Sequence, residues 1–153
     1  MNLRRTERFQ EFANQVGKKY MMTDPTSNML TSIRNAVMAR RSEVIIPKSS
    51  FKLRLAEILK NEGFVSNVET INDGPQGSIK VTLKYGDEDR RETPIHEVKI
   101  VSKPGQRMYV AASSIPRVKQ GLGVAIISTS QGLMTGFEAR KRKLGGEFIC
   151  QIW

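Results

Sequence analysis

The sequence has little of what most catalytic and metal-binding sites require. Its 153 residues include one cysteine, Cys150, and one histidine, His96. A zinc or iron site built from His and Cys side chains needs three or four ligands, so such a site is excluded, and an internal disulfide cannot form. The sequence also lacks a secretory leader and an apolar run of about 18 residues, so we expect a cytoplasmic protein without a membrane partner.

Sequence motifs of common enzymes are missing as well. There is no G-x-x-x-x-G-K-S/T phosphate loop, no G-x-S-x-G elbow and no histidine near the cysteine in the sequence. A nucleophilic Ser128 would need a base, and the one histidine, His96, falls on a predicted strand. We therefore expect a protein that is not an enzyme and has no cofactor, metal or small-molecule substrate.

Positive charge is what the sequence has in abundance. The chain carries 25 Lys and Arg against 15 Asp and Glu, which gives a net charge of +10 and a pI of about 10.1. Residues 1–60 hold 12 basic and 5 acidic residues, residues 61–99 hold 5 and 8, and residues 103–143 hold 8 and 1. Two basic surfaces separated by an acidic middle favour a nucleic-acid partner. The alternative is a basic protein that its charge merely keeps soluble.

Length and apolar patterning indicate one compact domain or two small lobes that share a core. Residues 1–21 carry five basic and two acidic residues, and they are predicted to form a basic N-terminal tail or extension outside that core. Met22 is an alternative start, and the two glutamates and missing serine of this segment argue against an organellar leader. The expected fold class is α+β, with an N-terminal lobe at 22–91 and a C-terminal lobe at 92–153.

The N-terminal lobe is predicted to have the order α-β-α-β-β. Apolar residues at helical spacing, capping residues and a turn sequence between two alternating runs support this order. The elements are a helix from Pro25 to about Arg40 capped by Asp24, a strand at 43–46 ended by Pro47, a helix capped by Ser49 or Ser50 and stopped by Gly63, and a hairpin of strands at 64–71 and 78–85.

The C-terminal lobe is predicted to be mainly antiparallel β with one short helix. Its elements are strands at 97–102 and 106–110 joined by a turn at 103–105, a helical turn at 113–118, a strand within 121–129, a loop at 128–132, a helix running through 140–143 and a last strand at 147–153. The continuous apolar run at 124–127 implies burial on both faces of its strand. Thr135 and Glu138 have the spacing of a capping box.

Residues 121–153 combine three features that RNA binding uses. The buried strand leads into the hydroxyl triplet Ser128-Thr129-Ser130, a capped helix follows, and a basic run lies beyond it. Hydroxyl groups both donate and accept, so they can contact base edges, ribose hydroxyls and phosphates, while Lys and Arg neutralise the backbone. Taken alone, such a triplet is compatible with an ordinary solvated loop as well as with an RNA contact.

In this segment the chain closely resembles the family of the eighth protein of the bacterial small ribosomal subunit. The motifs are G-L-G-x-A-hydrophobic-hydrophobic-S-T-S-x-G-x-M-T at 121–135 and L-G-G-E at 144–147. The resemblance covers residues 22–153 through Asp24-Pro25 and the segments at 30–36, 46–50, 62–64, 83–85 and 101–105. Polar residues at Thr26-Ser27 and a less basic stretch at 111–114 depart from the family pattern.

The resemblance implies a two-lobed protein of the small subunit that binds the central domain of its ribosomal RNA early in assembly. It implies neighbouring small-subunit proteins as further partners and a location on cytoplasmic rather than organellar ribosomes. It implies RNA contacts for Ser128, Thr129, Ser130, Tyr109, Gly145, Gly146 and Glu147, and for Lys48, Ser49 and Lys52 in the first lobe. Their charge makes Lys103, Arg107, Arg140 and Lys143 further candidates.

Simpler interpretations stand beside several of these roles. Tyr109 is also compatible with a half-buried strand residue, and the 140–143 run with a solvated helix face. Glu147 is repelled by phosphate, so it either accepts from a guanine or cytosine amino group or caps the Gly145-Gly146 turn. For the whole protein, the alternative function is a free RNA-binding regulator of translation, and the family's binding of its own messenger RNA makes the two roles compatible.

Overall fold

The structure, a computed structural model, describes residues 25–153. The predicted tail at 1–21 and the Asp24 cap lie outside these residues. The elements are α1 (Pro25–Met38), β1 (Glu43–Pro47), α2 (Ser50–Asn61), β2 (Val65–Ile71), β3 (Ser78–Leu83), β4 (Val98–Ile100), β5 (Tyr109–Val110), 3-10 turns at Ala112–Ser114 and Val118–Gly121, β6 (Val124–Thr129), β7 (Gly132–Thr135), α3 (Gly136–Lys141) and β8 (Gly146–Ile152). The predicted α+β class is confirmed.

The first three strands form an antiparallel sheet in the order β1-β3-β2. The second helix begins as predicted, because the Ser49 side chain accepts a hydrogen bond from the Lys52 backbone N–H at 3.2 Å. It ends before Gly63, whose φ of 83° is a left-handed conformation that glycine adopts without strain. The predicted hairpin of β2 and β3 is also present.

The second sheet is built around the last strand. β6 pairs with one edge of β8 along its length, while β4 and β5 share the other edge, and β7 extends the sheet beyond β6. The two strand-like runs predicted on either side of residues 103–105 therefore pair with β8 rather than with each other. The turn between them forms as predicted, with Lys103 and Gln106 bridged by backbone hydrogen bonds of 3.1 and 2.9 Å.

Three local predictions were wrong. His96 lies on an exposed bend before β4 rather than on a strand, and its N–H donates to the Trp153 carbonyl at 2.6 Å. No single helical turn spans 113–118, because Ile115 takes extended angles (φ −66°, ψ 119°), as residues before proline do. The loop expected at 128–132 is a tight hairpin, in which Ser128 and Thr129 belong to β6, and β7 was not predicted.

One apolar core joins the two halves of the fold. It combines side chains of α1, α2 and the first sheet with one face of the second sheet, which includes Ile126 and Ile152. The opposite face of the second sheet packs against α3 and the segment before β6 in a smaller cluster that includes Ala125 and Ile127. Burial of β6 on both faces is thus confirmed. The Arg54 Nε–H also donates across the halves to the Leu133 carbonyl at 3.4 Å.

Candidate nucleic-acid interface

The hydroxyl triplet lies at the end of a β-hairpin. Residues 128–132, named here the serine turn, join β6 to β7 with Ser130 and Gln131 at the corner. Neither corner residue has a positive φ. Gly132, which follows them, has a φ of 107°, and this glycine conformation lets the chain reverse its direction. The serine turn is therefore a short turn whose position is fixed by the pairing of Thr129 with Gly132.

The three hydroxyls of the triplet have different roles. The Thr129 hydroxyl accepts from the Gln131 N–H at 3.1 Å and donates to the Gly132 carbonyl at 2.8 Å, so it holds the turn together. Ser130 is exposed and Ser128 half-buried, and neither hydroxyl makes a hydrogen bond within residues 25–153. The two serine hydroxyls are consequently the ones left to contact a ligand, on a turn that Thr129 stabilises.

A row of three side chains crosses the sheet beside this turn. Tyr109 on β5 is opposite Glu147 on β8, and Glu147 is opposite Ser128 on β6. Directly opposed residues in antiparallel strands point to the same face, so the three side chains lie side by side. Tyr109 is 71% exposed, which excludes the half-buried strand position considered for it. The row thus ends in an exposed aromatic ring.

Glu147 is held by two partners from the β4–β5 connection. Its Oε1 accepts from the Ser102 hydroxyl at 2.6 Å and from the Arg107 Nη1 at 3.3 Å, while Ser102 also accepts from the Met108 N–H at 3.2 Å. Its Oε2 makes no hydrogen bond in the part of the chain described here. The carboxylate therefore fixes the segment that carries Tyr109 and keeps one oxygen open.

Gly145 and Gly146 are required by the sheet itself. A Cβ on Gly146 would clash with the Ser128 carbonyl, and a Cβ on Gly145 would lie 2.7 Å from the Val110 carbonyl oxygen. Both strands flanking the start of β8 therefore approach its backbone more closely than any side chain allows. This packing accounts for the two glycines without reference to a ligand.

The basic residues predicted near the site fall into different environments. Lys103 is exposed on its turn. Lys143 is also exposed, and because three residues of extended chain span at most about 11 Å, it lies within that distance of Gly146. The Arg140 guanidinium instead donates to the carbonyls of Ile115 and Pro116 at 3.2 and 3.5 Å. Arg140 thus ties α3 to the preceding segment, and the ammonium groups of Lys103 and Lys143 have no hydrogen-bond or ion-pair partner among residues 25–153.

The candidates in the first lobe form a separate group at the start of α2. The Ser49 hydroxyl is used as the helix cap, and the Lys52 ammonium is 3.4 Å from the Pro47 carbonyl. Burial lowers the pKa of the half-buried Lys52 from its usual value. Lys48 is half-buried, and its carbonyl accepts from the Gln76 side chain at 2.8 Å. No hydrogen bond or ion pair joins this group to the serine turn among the described residues.

Ser102 was not among the predicted site residues. It is 3% exposed and positions both Glu147 and the Met108 backbone. The sequence carries little signal for it, because a serine between a strand and a proline-glycine turn is usually solvated. Within residues 25–153 no group of three or more His, Cys, Asp or Glu side chains is placed to hold a metal ion, and no helix is long and apolar enough to cross a bilayer.

Comparison with known proteins gives a consistent family. The family model described as Ribosomal protein S8 matches residues 24–153. Relatives named "Small ribosomal subunit protein uS8" are 53% identical over 131 residues in Anaeromyxobacter sp. (strain Fw109-5), 53% over 132 in Geobacter sulfurreducens and 50% over 132 in Staphylococcus aureus (strain JH9). Each alignment covers 86% of this chain and 98% of the relative.

Proposed function

We propose that this chain, which belongs to the ribosomal protein S8 family, is a structural constituent of the small ribosomal subunit that binds the subunit's RNA with its second sheet. The printed names of its relatives and the match over nearly their full length support the ribosomal role. The net charge of +10 supports an RNA partner. No catalytic residue is part of the proposal.

The observation that best supports the RNA site is the exposed Ser130 hydroxyl, which has no hydrogen-bond partner within residues 25–153 and lies on a turn stabilised by two hydrogen bonds of Thr129. Such a hydroxyl can donate to one RNA acceptor and accept from a ribose 2′-hydroxyl or a base amino group. The wide, shallow minor groove of an RNA helix admits a short turn of this kind, whereas the deep major groove does not. We place the serine turn on the minor-groove side of an irregular helix.

The row beside the turn extends the proposed contact. Tyr109, with 71% exposure, offers a ring on which a ribose or an unstacked base can lie. The Oε2 of Glu147 is an acceptor for a guanine amino group, and the nearby Arg107 offsets the repulsion between this carboxylate and phosphate. Lys103 and Lys143 neutralise phosphates on either side. Lys48, Ser49 and Lys52 contact neighbouring RNA from the first lobe.

The specific partner we propose is the central domain of small-subunit ribosomal RNA, bound early in assembly. Neighbouring small-subunit proteins are further partners, and the protein works on ribosomes in the cytoplasm. Its own messenger RNA is a second ligand wherever that RNA reproduces the ribosomal site. These assignments rest on the family resemblance together with the surface described above.

Binding to separate ribosomal RNA fragments tests this proposal. The full chain should bind a central-domain transcript at least about 1,000-fold more tightly than a transcript of another domain at equal salt, as specific and nonspecific sites differ by at least ~4 kcal/mol. It should also sediment with small subunits after a high-salt wash. Equal affinity for both transcripts, or recovery of the protein only in the soluble pool, would favour the free regulator instead.

A further inference from the structure

A second concave surface lies on the other face of the second sheet. It is a cleft of about 680 Å³ between α3 and residues 116–123, named here the loop–helix cleft. Its lining includes the aliphatic residues Val118 and Ala125, which belong to the smaller apolar cluster. Phe137 lines the cleft and is 67% exposed, and Leu122, which follows the lining residue Gly121, is 87% exposed. One large exposed apolar side chain, that of Phe137, thus borders an apolar floor, and Leu122 is adjacent in sequence to the lining.

The loop that forms one wall is held in a strained conformation. Lys119 (φ 47°, ψ 46°) and Gln120 (φ 56°, ψ 33°) are both left-handed, which is unfavourable for residues other than glycine. The Lys119 ammonium lies 4.7 Å from the centre of the Trp153 ring, and the Gly123 N–H donates to the Val118 carbonyl at 3.1 Å. The packing therefore maintains a shape that projects Leu122 into solvent, as is common at binding sites.

Charge around the cleft has one dominant sign. Its lining includes Arg117, Arg140 and Lys141 against a single carboxylate, Glu62. The nearby Glu138 is paired with Arg142 at 3.2 Å and adds no free negative charge. A ligand for this surface must therefore combine negative charge with an apolar group.

The cleft lies apart from the proposed RNA site. Its lining on β6 is Val124 and Ala125, and the serine turn begins at Ser128, about 10–14 Å farther along the strand by the rise per residue. Phe137 offers a ring for stacking, but a nucleotide base placed on it would leave polar edge atoms against the aliphatic Val118 and Ala125. An aliphatic or aromatic protein side chain fits the floor without that cost.

We propose that the loop–helix cleft binds an acidic segment of a neighbouring protein in the same small subunit. One large apolar side chain of that segment packs against Phe137 in the cleft, and its carboxylates pair with Arg117 and Lys141. This inference rests on the proposed ribosomal function, but not on the RNA contacts of the serine turn.

Photo-crosslinking in reconstituted small subunits tests the proposal. Phe137 is replaced by p-benzoylphenylalanine, and a second variant carries the same group at Met38, which is 76% exposed on α1. After irradiation, mass spectrometry should find position 137 attached to a protein segment in which acidic residues flank an apolar one. The Met38 variant measures the background. Attachment to RNA, to a segment without acidic residues, or at no more than the Met38 level overturns the proposal.

A pair of further variants separates the two sites. Adding Arg117→Glu and Lys141→Glu to the crosslinking variant should reduce the protein adduct at least about tenfold, and an undiminished adduct contradicts the charge pairing. Leu122→Ser with Phe137→Ala should leave affinity for the central-domain transcript within about twofold. If that affinity is lost with the adduct, the cleft belongs to the RNA site. If RNA specificity is absent in every variant while the acidic adduct remains, only the proposed RNA role fails.

Discussion

The carboxylate of Glu147 accepts a hydrogen bond from the buried hydroxyl of Ser102 at 2.6 Å. The same hydroxyl accepts from the Met108 N–H, so one serine connects β8 to the residue just before Tyr109. The exposed position of Tyr109 therefore depends on a polar contact that is itself shielded from water, since Ser102 is only 3% exposed.

Replacing Ser102 with alanine tests this dependence. Ser102→Ala removes two hydrogen bonds, the one from the Ser102 hydroxyl to Glu147 and the one from the Met108 N–H, and at about 0.5–1.5 kcal/mol each they are together worth roughly 1–3 kcal/mol. We expect urea denaturation to show a loss of that size and RNA affinity to fall because the segment carrying Tyr109 loosens. The matched control is Ser114→Ala, an exposed serine whose hydroxyl makes no hydrogen bond within residues 25–153. Equal stability of the two variants would contradict the role assigned to Ser102.

Replacing Ser130 with alanine tests the serine turn. Ser130→Ala removes one hydroxyl worth about 0.5–1.5 kcal/mol, so affinity for the central-domain transcript should fall roughly 3- to 10-fold. The free energy of unfolding should change by less than about 0.5 kcal/mol, because Ser130 has no partner in the described fold. Calorimetric titration and urea denaturation measure the two quantities.

Lys143→Ala is the control for Ser130→Ala, because it removes a positive charge near the RNA backbone rather than a hydroxyl that recognises the shape of the RNA. It should reduce the slope of log affinity against log salt by about one unit without changing discrimination between RNA variants. If Ser130→Ala binds as tightly as the parent where Lys143→Ala is visibly weaker, the serine turn is only solvated.

Adding a methyl group to Gly146 should destabilise the second sheet. Because a Cβ there clashes with the Ser128 carbonyl, Gly146→Ala is expected to cost at least about 2 kcal/mol by overpacking. Gly105→Ala provides the comparison, since nothing lies within 4 Å of its Cβ position. Thermal or urea unfolding gives the difference, and a Gly146→Ala variant as stable as Gly105→Ala would show that β6 and β8 lie farther apart.

The thiol of Cys150 should be inert in the folded protein. Burial raises its pKa from 9.0 to about 12, so it stays neutral and inaccessible at pH 8. A colorimetric thiol reagent should react with it only after denaturant is added. Because the unfolded chain ionises near pH 9 and the folded one near 12, stability should decline as pH rises through this window. A Cys150→Ala variant should lack that part of the decline, and rapid labelling of native protein would refute burial.

Local sequence signals correctly predicted the features that depend only on residues close together in the sequence. The Ser49 cap, the stop at Gly63 and the Thr135 cap, which accepts from the Glu138 N–H at 3.2 Å, all depend on residues within one turn of one another. The burial of β6 followed from its apolar run in the same way. These features need no knowledge of the rest of the chain.

Partners distant in the sequence could not be predicted in this way. The choice of β8 as the common partner of β4 and β5 depends on pairings such as Val98 with Ile152, more than 50 residues apart. The hydrogen bond from the Arg140 guanidinium to the Ile115 carbonyl could not be predicted either, because it depends on where α3 packs in the fold. The candidate site residues were predicted from the family resemblance and from charge, and they remain predictions, whereas their division into free and internally bonded groups required the fold.

The central position of β8 sets an order for the folding of a chain that is synthesised from its N-terminus. The first sheet and both its helices lie within residues 25–83 and can pair as soon as that stretch is made. The second sheet has no common partner strand until residues 146–152 have been synthesised, so Ile126 and the face it shares with the first lobe stay uncovered until then. Non-local pairing of this kind is slow to form, so we expect the surface proposed to contact RNA to be completed only after the last strand has been synthesised.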